Sequence, residues 1–129
     1  MSKLLPVSAL LVLPLLAACA STSGSSVILE SQARCPQTLE PSQQLILRLP
    51  SNPTTGYRWE VREAAAGQLR ALGPEVYSAP QGEALVGAGG HSTWRFEAQE
   101  PGESMLSLTY QRPWEAEPIE HFECLIRVR

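Results

Sequence analysis

The 129-residue chain lacks several residue types on which common enzyme sites depend. It contains no aspartate, so all 13 acidic residues are glutamates, and its only lysine is Lys3. Without aspartate there is no Ser-His-Asp triad and no EF-hand loop, and without a later lysine there is no Walker-type phosphate loop or Schiff base. The net charge of -3 argues against electrostatic binding of nucleic acid. The composition disfavours an enzyme and predicts no cofactor.

The N-terminus has the features of an export signal. The apolar run from Leu4 to Ala18 is shorter than the about 20 residues of a membrane-spanning helix. It ends in Leu-Ala-Ala-Cys19, which resembles the lipobox of bacterial lipoprotein precursors. This resemblance implies a signal peptide at 1–18, a lipid on Cys19 and a flexible tether at 19–26. The alternative is an ordinary secretory leader that happens to end in a cysteine.

The residue after Cys19 is Ala20 and not aspartate, which resembles lipoproteins sent to an outer membrane. We therefore expect the protein in the cell envelope, on the periplasmic face of the outer membrane. Export also favours a disulfide between the two remaining cysteines, Cys35 and Cys124. The alternative is a pair of separate buried thiols.

The rest of the chain is predicted to form one all-β domain at 27–129. Five segments alternate apolar and polar residues with period two, as strands do, and Gly- and Pro-rich turns separate them. A further strand is expected around 68–72, and no stretch predicts a convincing helix. This pattern is typical of an antiparallel β-sandwich or a small barrel. The alternating segments and their expected inward residues are 44–49 (Leu45, Leu47, Leu49), 57–62 (Tyr57, Trp59, Val61), 94–98 (Trp94, Phe96, Ala98), 106–110 (Leu106, Leu108, Tyr110) and 121–128 (Phe122, Cys124, Ile126, Val128).

Three loops have compositions that favour interaction with a partner. The first is Asn52-Pro53-Thr54-Thr55-Gly56-Tyr57, in which Asn52 can close an Asx turn, Pro53 fixes φ and Gly56 supplies an unusual backbone geometry. Such a loop is stiff and displays its two threonines, although it could also be a plain connecting turn. Tyr57 and the following Trp59 are expected to pack in the core.

The second loop contains Gly87-Ala88-Gly89-Gly90-His91, whose glycines expose backbone. Alone, it would more often be a flexible connection. The third contains Arg112-Pro113-Trp114 at the end of a predicted strand. No alternating apolar residue follows Trp114, and exposed tryptophan and arginine are enriched at binding hot spots. We expect the third loop to bind a partner.

Taken in this order, the three loops resemble those of the chagasin family of cysteine protease inhibitors, over roughly residues 40–129. The resemblance implies an immunoglobulin-like antiparallel β-sandwich whose three loops enter the cleft of a papain-like protease. It implies that Thr54 and Thr55 lie over the catalytic cysteine and histidine of the protease. Gly89 and Gly90 would offer backbone on the non-primed side, and Trp114 would lie on the primed side.

Two other classes of function remain open at the level of sequence. One is a lipid-anchored β-sandwich that binds another envelope protein, a peptide or a glycan. The other is an enzyme built on Cys35 or Cys124 with His91 or His121, which is disfavoured because Cys124 and His121 are expected on opposite strand faces. No spacing of histidines and cysteines indicates a metal site. The preferred interpretation is a monomeric inhibitor that binds a papain-like protease and is held at a membrane through Cys19.

Overall fold

The computed structural model describes residues 2–6, 8–16, 25–80 and 89–129. Within these ranges the chain forms nine β-strands and two short 3-10 turns, Gln32–Arg34 and Pro53–Thr55. Among the same residues, no helix has the length and apolar character needed to cross a membrane. The strands are β1 (Val27–Leu29), β2 (Gln37–Leu39), β3 (Gln44–Ser51), β4 (Arg58–Ala64), β5 (Leu69–Ala71), β6 (Val76–Ser78), β7 (Gly90–Ala98), β8 (Gly102–Gln111) and β9 (Glu120–Val128).

The strands form two sheets whose inner faces share one core. The first sheet has the order β1-β3-β7-β5, with β6 also paired to β7, and the second has the order β2-β9-β8-β4. The predicted all-β sandwich is confirmed. Its long strands pair antiparallel, but β1 with β3 and β2 with β9 are parallel. These two strands have three residues each, too short for an alternating pattern to reveal them in the sequence.

Most of the core consists of the inward residues that the period-two alternation predicts. Leu45 and Leu47 of β3 lie opposite Phe96 and Trp94 of β7 within the first sheet, and all four are buried, as is Leu49. The predicted inward residues that are buried in the second sheet are Trp59, Leu106, Leu108, Tyr110, Phe122, Cys124, Ile126 and Val128. The alternation did not predict four further buried hydrophobic residues of the described chain, Leu29, Leu39, Ala65 and Leu69.

Val61 departs from the predicted alternation. It was expected to share the inward face of β4 with Trp59, but 41% of its surface is exposed. The register between β4 and β8 shifts between Val61 and Glu63, and β4 is an edge strand of its sheet. A bulge on an edge strand breaks the strict alternation on which the expectation rested.

The domain is a folding unit that does not include the described residues of 2–16. Every buried hydrophobic residue described lies between Leu29 and Val128, whereas the described residues of 2–16 are exposed. The chain from Ser25 to Arg129 contains all nine strands and the core. The signal-peptide prediction for 1–18 and the tether prediction for 19–26 stay predictions, since 17–24 lie outside the described residues.

The predicted disulfide between Cys35 and Cys124 is present. It joins the segment before β2 to the middle of β9, with a Cα–Cα distance of 5.3 Å and a sequence separation of 89 residues. The Cys124 side chain is buried in the core. Because both sulfur atoms are bonded in the bridge, neither Cys35 nor Cys124 has the free thiol that a cysteine nucleophile needs.

Candidate functional site

The bases of the three loops singled out from the sequence lie together at one end of the sandwich, which we call the loop pole. Loop 1 (52–57) joins β3 to β4, loop 2 (79–89) joins β6 to β7, and loop 3 (112–119) joins β8 to β9. Ser51 at the end of β3 pairs with Gly90 at the start of β7, and Arg58 at the start of β4 pairs with Gln111 at the end of β8. The strand register therefore brings the bases of all three loops together.

Loop 1 is held by hydrogen bonds among its own residues. Pro53–Thr55 form a 3-10 turn that Gly56 ends in the left-handed region, with φ of 84°. The Thr55 hydroxyl donates to the Asn52 carbonyl oxygen at 2.7 Å, and the Thr54 hydroxyl donates to Asn52 Oδ1 at 2.6 Å. The Asn52 side chain makes no capping bond to the turn backbone, and both threonine hydroxyls bond to Asn52 instead. The stiffness expected of the loop stays a prediction.

An aromatic cluster supports loop 1 from below. The ring of Tyr110 lies 4.8 Å from that of Trp59 and 5.3 Å from that of Tyr57, between centroids. The Tyr110 hydroxyl accepts a hydrogen bond from the Asn52 N–H at 2.9 Å, and Trp59 Nε1 donates to the Pro50 carbonyl oxygen at 2.9 Å. The expectation that Tyr57 and Trp59 pack in the core is confirmed, with Tyr57 only partly buried. The loop-supporting role of Tyr110 was missed, because its position predicted only an inward residue.

Arg112 connects loop 3 to loop 1. Its Nε donates to the Thr55 carbonyl oxygen at 2.9 Å, and Nη1 contacts the Glu115 carboxylate at 3.2 Å. The guanidinium lies 4.3 Å from the centroid of the Tyr57 ring and 5.8 Å from that of Trp114. Both its hydrogen bonds and its cation-π contacts are therefore made within the loop pole. The sequence indicated Arg112 as a binding residue, but it could not show this bracing.

Trp114 is the most exposed large hydrophobic side chain of the described domain. Its exposed fraction is 71%, although its ring rests on Gly56, where an added Cβ would lie 2.6 Å from Trp114 Cη2. The indole is thus presented to solvent and held on one side by loop 1. An exposed aromatic ring on a rigid support is a typical hot spot of an interface.

We expect Gly56→Ala to weaken partner binding about tenfold. A Cβ in the left-handed region costs roughly 1–2 kcal/mol, and here it would also displace the Trp114 ring. The matched control is Gly67→Ala, where an added Cβ meets no atom within 4 Å. The test partner is papain, the kind of protease that the sequence resemblance implies, and inhibition constants measured beside melting temperatures check this. Equal constants for the two variants would show that the Gly56–Trp114 contact does not matter.

We expect Arg112→Lys to weaken partner binding about tenfold, because lysine cannot reproduce the guanidinium's simultaneous contacts with Thr55, Glu115 and Tyr57. If Arg112 contributed only its positive charge to the partner, lysine would keep the binding affinity near that of the parent. The control is Arg70→Lys, an exposed arginine paired with Glu97 on β5 and β7. The measurement is binding of both variants to the same test partner, papain, and unchanged binding by the Arg112 variant would contradict the bracing role.

Loop 2 is only partly described. Gly87 lies outside the described residues, and Gly89 is exposed beside Ser51 and Asn52 of the neighbouring loop. Gly90 is buried at the start of β7, where an added Cβ would collide with the carbonyl oxygen of Ser78. Its lack of a side chain is explained by the packing of β7 against β6, whereas Gly89 has backbone within reach of a partner.

Nothing in the described part of the chain forms a metal centre. No group of three or more histidine, cysteine or acidic side chains there could hold a metal ion. His121 is exposed on β9 while Cys124 points into the core, as their strand positions predicted.

Comparison with known proteins shows the family of the chain. The model of the "Chagasin family peptidase inhibitor I42" matches residues 38–126. Chagasin from Trypanosoma cruzi is 30% identical over 81 residues, which cover 60% of this chain and 72% of the relative.

Solved structures of similar fold include a cysteine protease inhibitor from Entamoeba histolytica (TM-score 0.73, 21% identity, covering 83% of this chain and 98% of that one). Another is the Leishmania mexicana protein named ICP (TM-score 0.52, 23% identity, covering 74% and 89%). A third is PbICP-C, solved in complex with falcipain-2 (TM-score 0.51, 17% identity, covering 81% and 98%). The chain belongs to the chagasin family, which is a family of peptidase inhibitors and not of enzymes.

Proposed function

We propose that this protein is a reversible inhibitor of papain-like cysteine proteases that blocks the active-site cleft with its three loops. The observation that carries the proposal is the braced loop pole, in which Arg112 ties loop 3 to loop 1 and Trp114 stands exposed on Gly56. A surface that is ordered before binding loses little conformational entropy in the complex. PbICP-C, a fold relative, forms a complex with falcipain-2, which supports a protease as the partner.

The residues of the loop pole have distinct proposed roles. Thr54 and Thr55 are exposed at the tip of loop 1 and would cover the catalytic cysteine and histidine of the protease. Gly89 would offer backbone on the non-primed side of the cleft, and Trp114 would lie on the primed side. Together the loops can supply the about 800 Å² per partner of a common protease–inhibitor interface. All three loops come from one chain, so a monomer suffices.

The conformation of loop 1 explains why the protease would not cleave it. Pro53–Thr55 form a 3-10 turn, and the carbonyl oxygens of Asn52 and Pro53 accept hydrogen bonds from Thr55 N–H and Gly56 N–H at 3.2 and 3.1 Å. The compact turn fills the space above the nucleophile without placing an extended peptide in line for attack. Occupancy of the cleft therefore does not lead to hydrolysis.

Titration of residues 25–129 against papain tests this function. The protease is activated and then freed of excess reductant, so that the Cys35–Cys124 bridge stays intact. We expect inhibition constants well below micromolar, with no cleaved inhibitor after long incubation. No inhibition at micromolar concentration would favour the alternative, a binding module for another envelope protein, a peptide or a glycan.

We also propose that the protein is a lipoprotein, anchored through Cys19 on the periplasmic face of the outer membrane. The support is the lipobox-like sequence at 16–19 and the exclusion of the described leader residues from the core. Membrane fractions of a bacterial host should retain the parent chain and lose the Cys19→Ala variant, and mass spectrometry should find the lipid on Cys19. Equal release of both chains would contradict anchoring.

A further inference from the structure

The end of the domain at which the chain enters lies opposite the loop pole. β1 runs parallel to β3, with Val27 beside Leu45 near the start of β3. Loop 1 follows the other end of β3, after Ser51. A strand of this length, eight residues, spans about 25 Å. The point where the tether joins the domain and the binding loops are therefore separated by the full height of the sandwich.

We call this end the base; it consists of Ser25, Arg129 and the turns at 40–43 and 99–101, and hydrogen bonds join these segments. Gln43 Nε2 donates to Ser25 Oγ at 3.3 Å, and Ser42 N–H donates to the Ala98 carbonyl oxygen at 2.8 Å. At the other terminus, Arg129 N–H donates to the Leu39 carbonyl oxygen at 3.1 Å. The first described residue of the domain is thus held at the base.

The surface of the base is polar. Arg129 pairs with Glu40 at 3.5 Å, and next to the base Arg127 of β9 pairs with Glu103 of β8 at 2.8 Å. None of the exposed large hydrophobic residues described in the domain belongs to the base, and the most exposed of them, Trp114, is at the loop pole. The base can face a membrane surface without inserting into it. Trp114, whose amphipathic ring suits a membrane interface, is kept at the opposite end.

We propose that the domain is held from its base with its loops directed away from the membrane, so that its partner is a protease free in the aqueous phase. This inference rests on the proposed function and on anchoring through Cys19. Six residues from Cys19 to Ser25 span at most about 21 Å. A protease domain is about 40 Å across, so it could not fit between the bilayer and loops that faced it, whereas nothing obstructs it at the far pole.

The test couples residues 25–129 to phosphatidylcholine vesicles from either end of the sandwich. A Ser25→Cys variant is attached to a maleimide lipid at the base, and an Ala79→Cys variant is attached in the same way at the start of loop 2, and each is compared with its own uncoupled form. We expect the base-coupled domain to inhibit papain within about twofold of its uncoupled form. Coupling at position 79 is expected to weaken inhibition at least tenfold. Equal inhibition by the two coupled forms, or loss at the base-coupled one, would overturn the inference.

A second measurement does not depend on a protease. Trp114 emission, taken as the difference between each coupled domain and its Trp114→Phe variant, is quenched by a spin-labelled lipid only when the ring is near the bilayer. We expect no quenching with base coupling and strong quenching with coupling at position 79. Quenching in the base-coupled domain would overturn the orientation. If the uncoupled domain fails to inhibit papain, the proposed function fails, and the quenching result still decides the orientation.

Discussion

Replacing Trp114 with alanine is expected to weaken inhibition of papain about thirtyfold and to leave the melting temperature nearly unchanged. The indole is 71% exposed, so its removal costs the folded state little apolar burial, within about 0.5 kcal/mol. In the complex the same ring is covered by the protease, and truncation of a central interface tryptophan costs about 2 kcal/mol or more. Binding and stability should therefore respond very differently to one substitution.

The matched control is Ile28→Ala, which removes an exposed hydrophobic residue from β1, outside the loop pole. We expect it to leave both the inhibition constant and the melting temperature near those of the parent. Unfolding of the Trp114 variant would mean that the ring belongs to the core. A folded Trp114 variant that inhibits as well as the parent would remove loop 3 from the interface.

Removal of the Cys35–Cys124 bridge should lower the stability of the domain and leave inhibition nearly unchanged, the reverse of the effect expected for Trp114→Ala. The paired change Cys35→Ala/Cys124→Ala opens a closure of 89 residues. The chain-entropy model gives such a closure at most about 4–5 kcal/mol, and measured losses for native bridges are commonly about 2–5 kcal/mol. We expect the free energy of unfolding, measured in guanidinium chloride, to fall by about 2–4 kcal/mol.

Papain inhibition by the bridge-free variant should change less than twofold at a temperature where it is folded. Cys124 pairs with Leu106, four residues before Tyr110 at the loop end of β8, which is about 13 Å away along the strand. The parent protein in reductant serves as a control and should lose the same stability. An unchanged unfolding midpoint would show that the bridge contributes nothing to the fold, and a large loss of inhibition would couple it to the loop pole.

Much of the fold could be predicted because β3, β7, β8 and β9 obey strict alternation, from which β4 departs only at Val61. Leu45, Leu47 and Leu49 are all buried, as are Phe122 and Cys124 on β9. The strands that the sequence did not predict are β1, β2 and β6, each of three residues. So few residues cannot show a period, and these strands form by pairing with a long strand that is already specified.

The candidate site could be predicted as three separate loops but not as one braced surface. The sequence showed the unusual compositions of loop 1 at Asn52–Tyr57 and of loop 3 at Arg112–Trp114. The contact of Arg112 with the Thr55 carbonyl oxygen spans 57 residues of sequence, and that of Tyr110 with Asn52 spans 58. Such contacts depend on the register of β3, β4 and β8, which a local sequence pattern does not carry.

Protection of the protease's catalytic thiol from alkylation measures most directly whether the loop pole closes the protease cleft. Papain is incubated with iodoacetamide, alone or with a saturating excess of residues 25–129, and alkylation of its catalytic cysteine is followed by mass spectrometry. We expect alkylation to slow at least tenfold in the complex and the inhibitor to stay uncleaved. The Trp114→Ala variant at equal concentration should slow alkylation less. Alkylation at the rate of free papain, under conditions where the two proteins are shown to be bound, would contradict closure of the cleft by the loop pole.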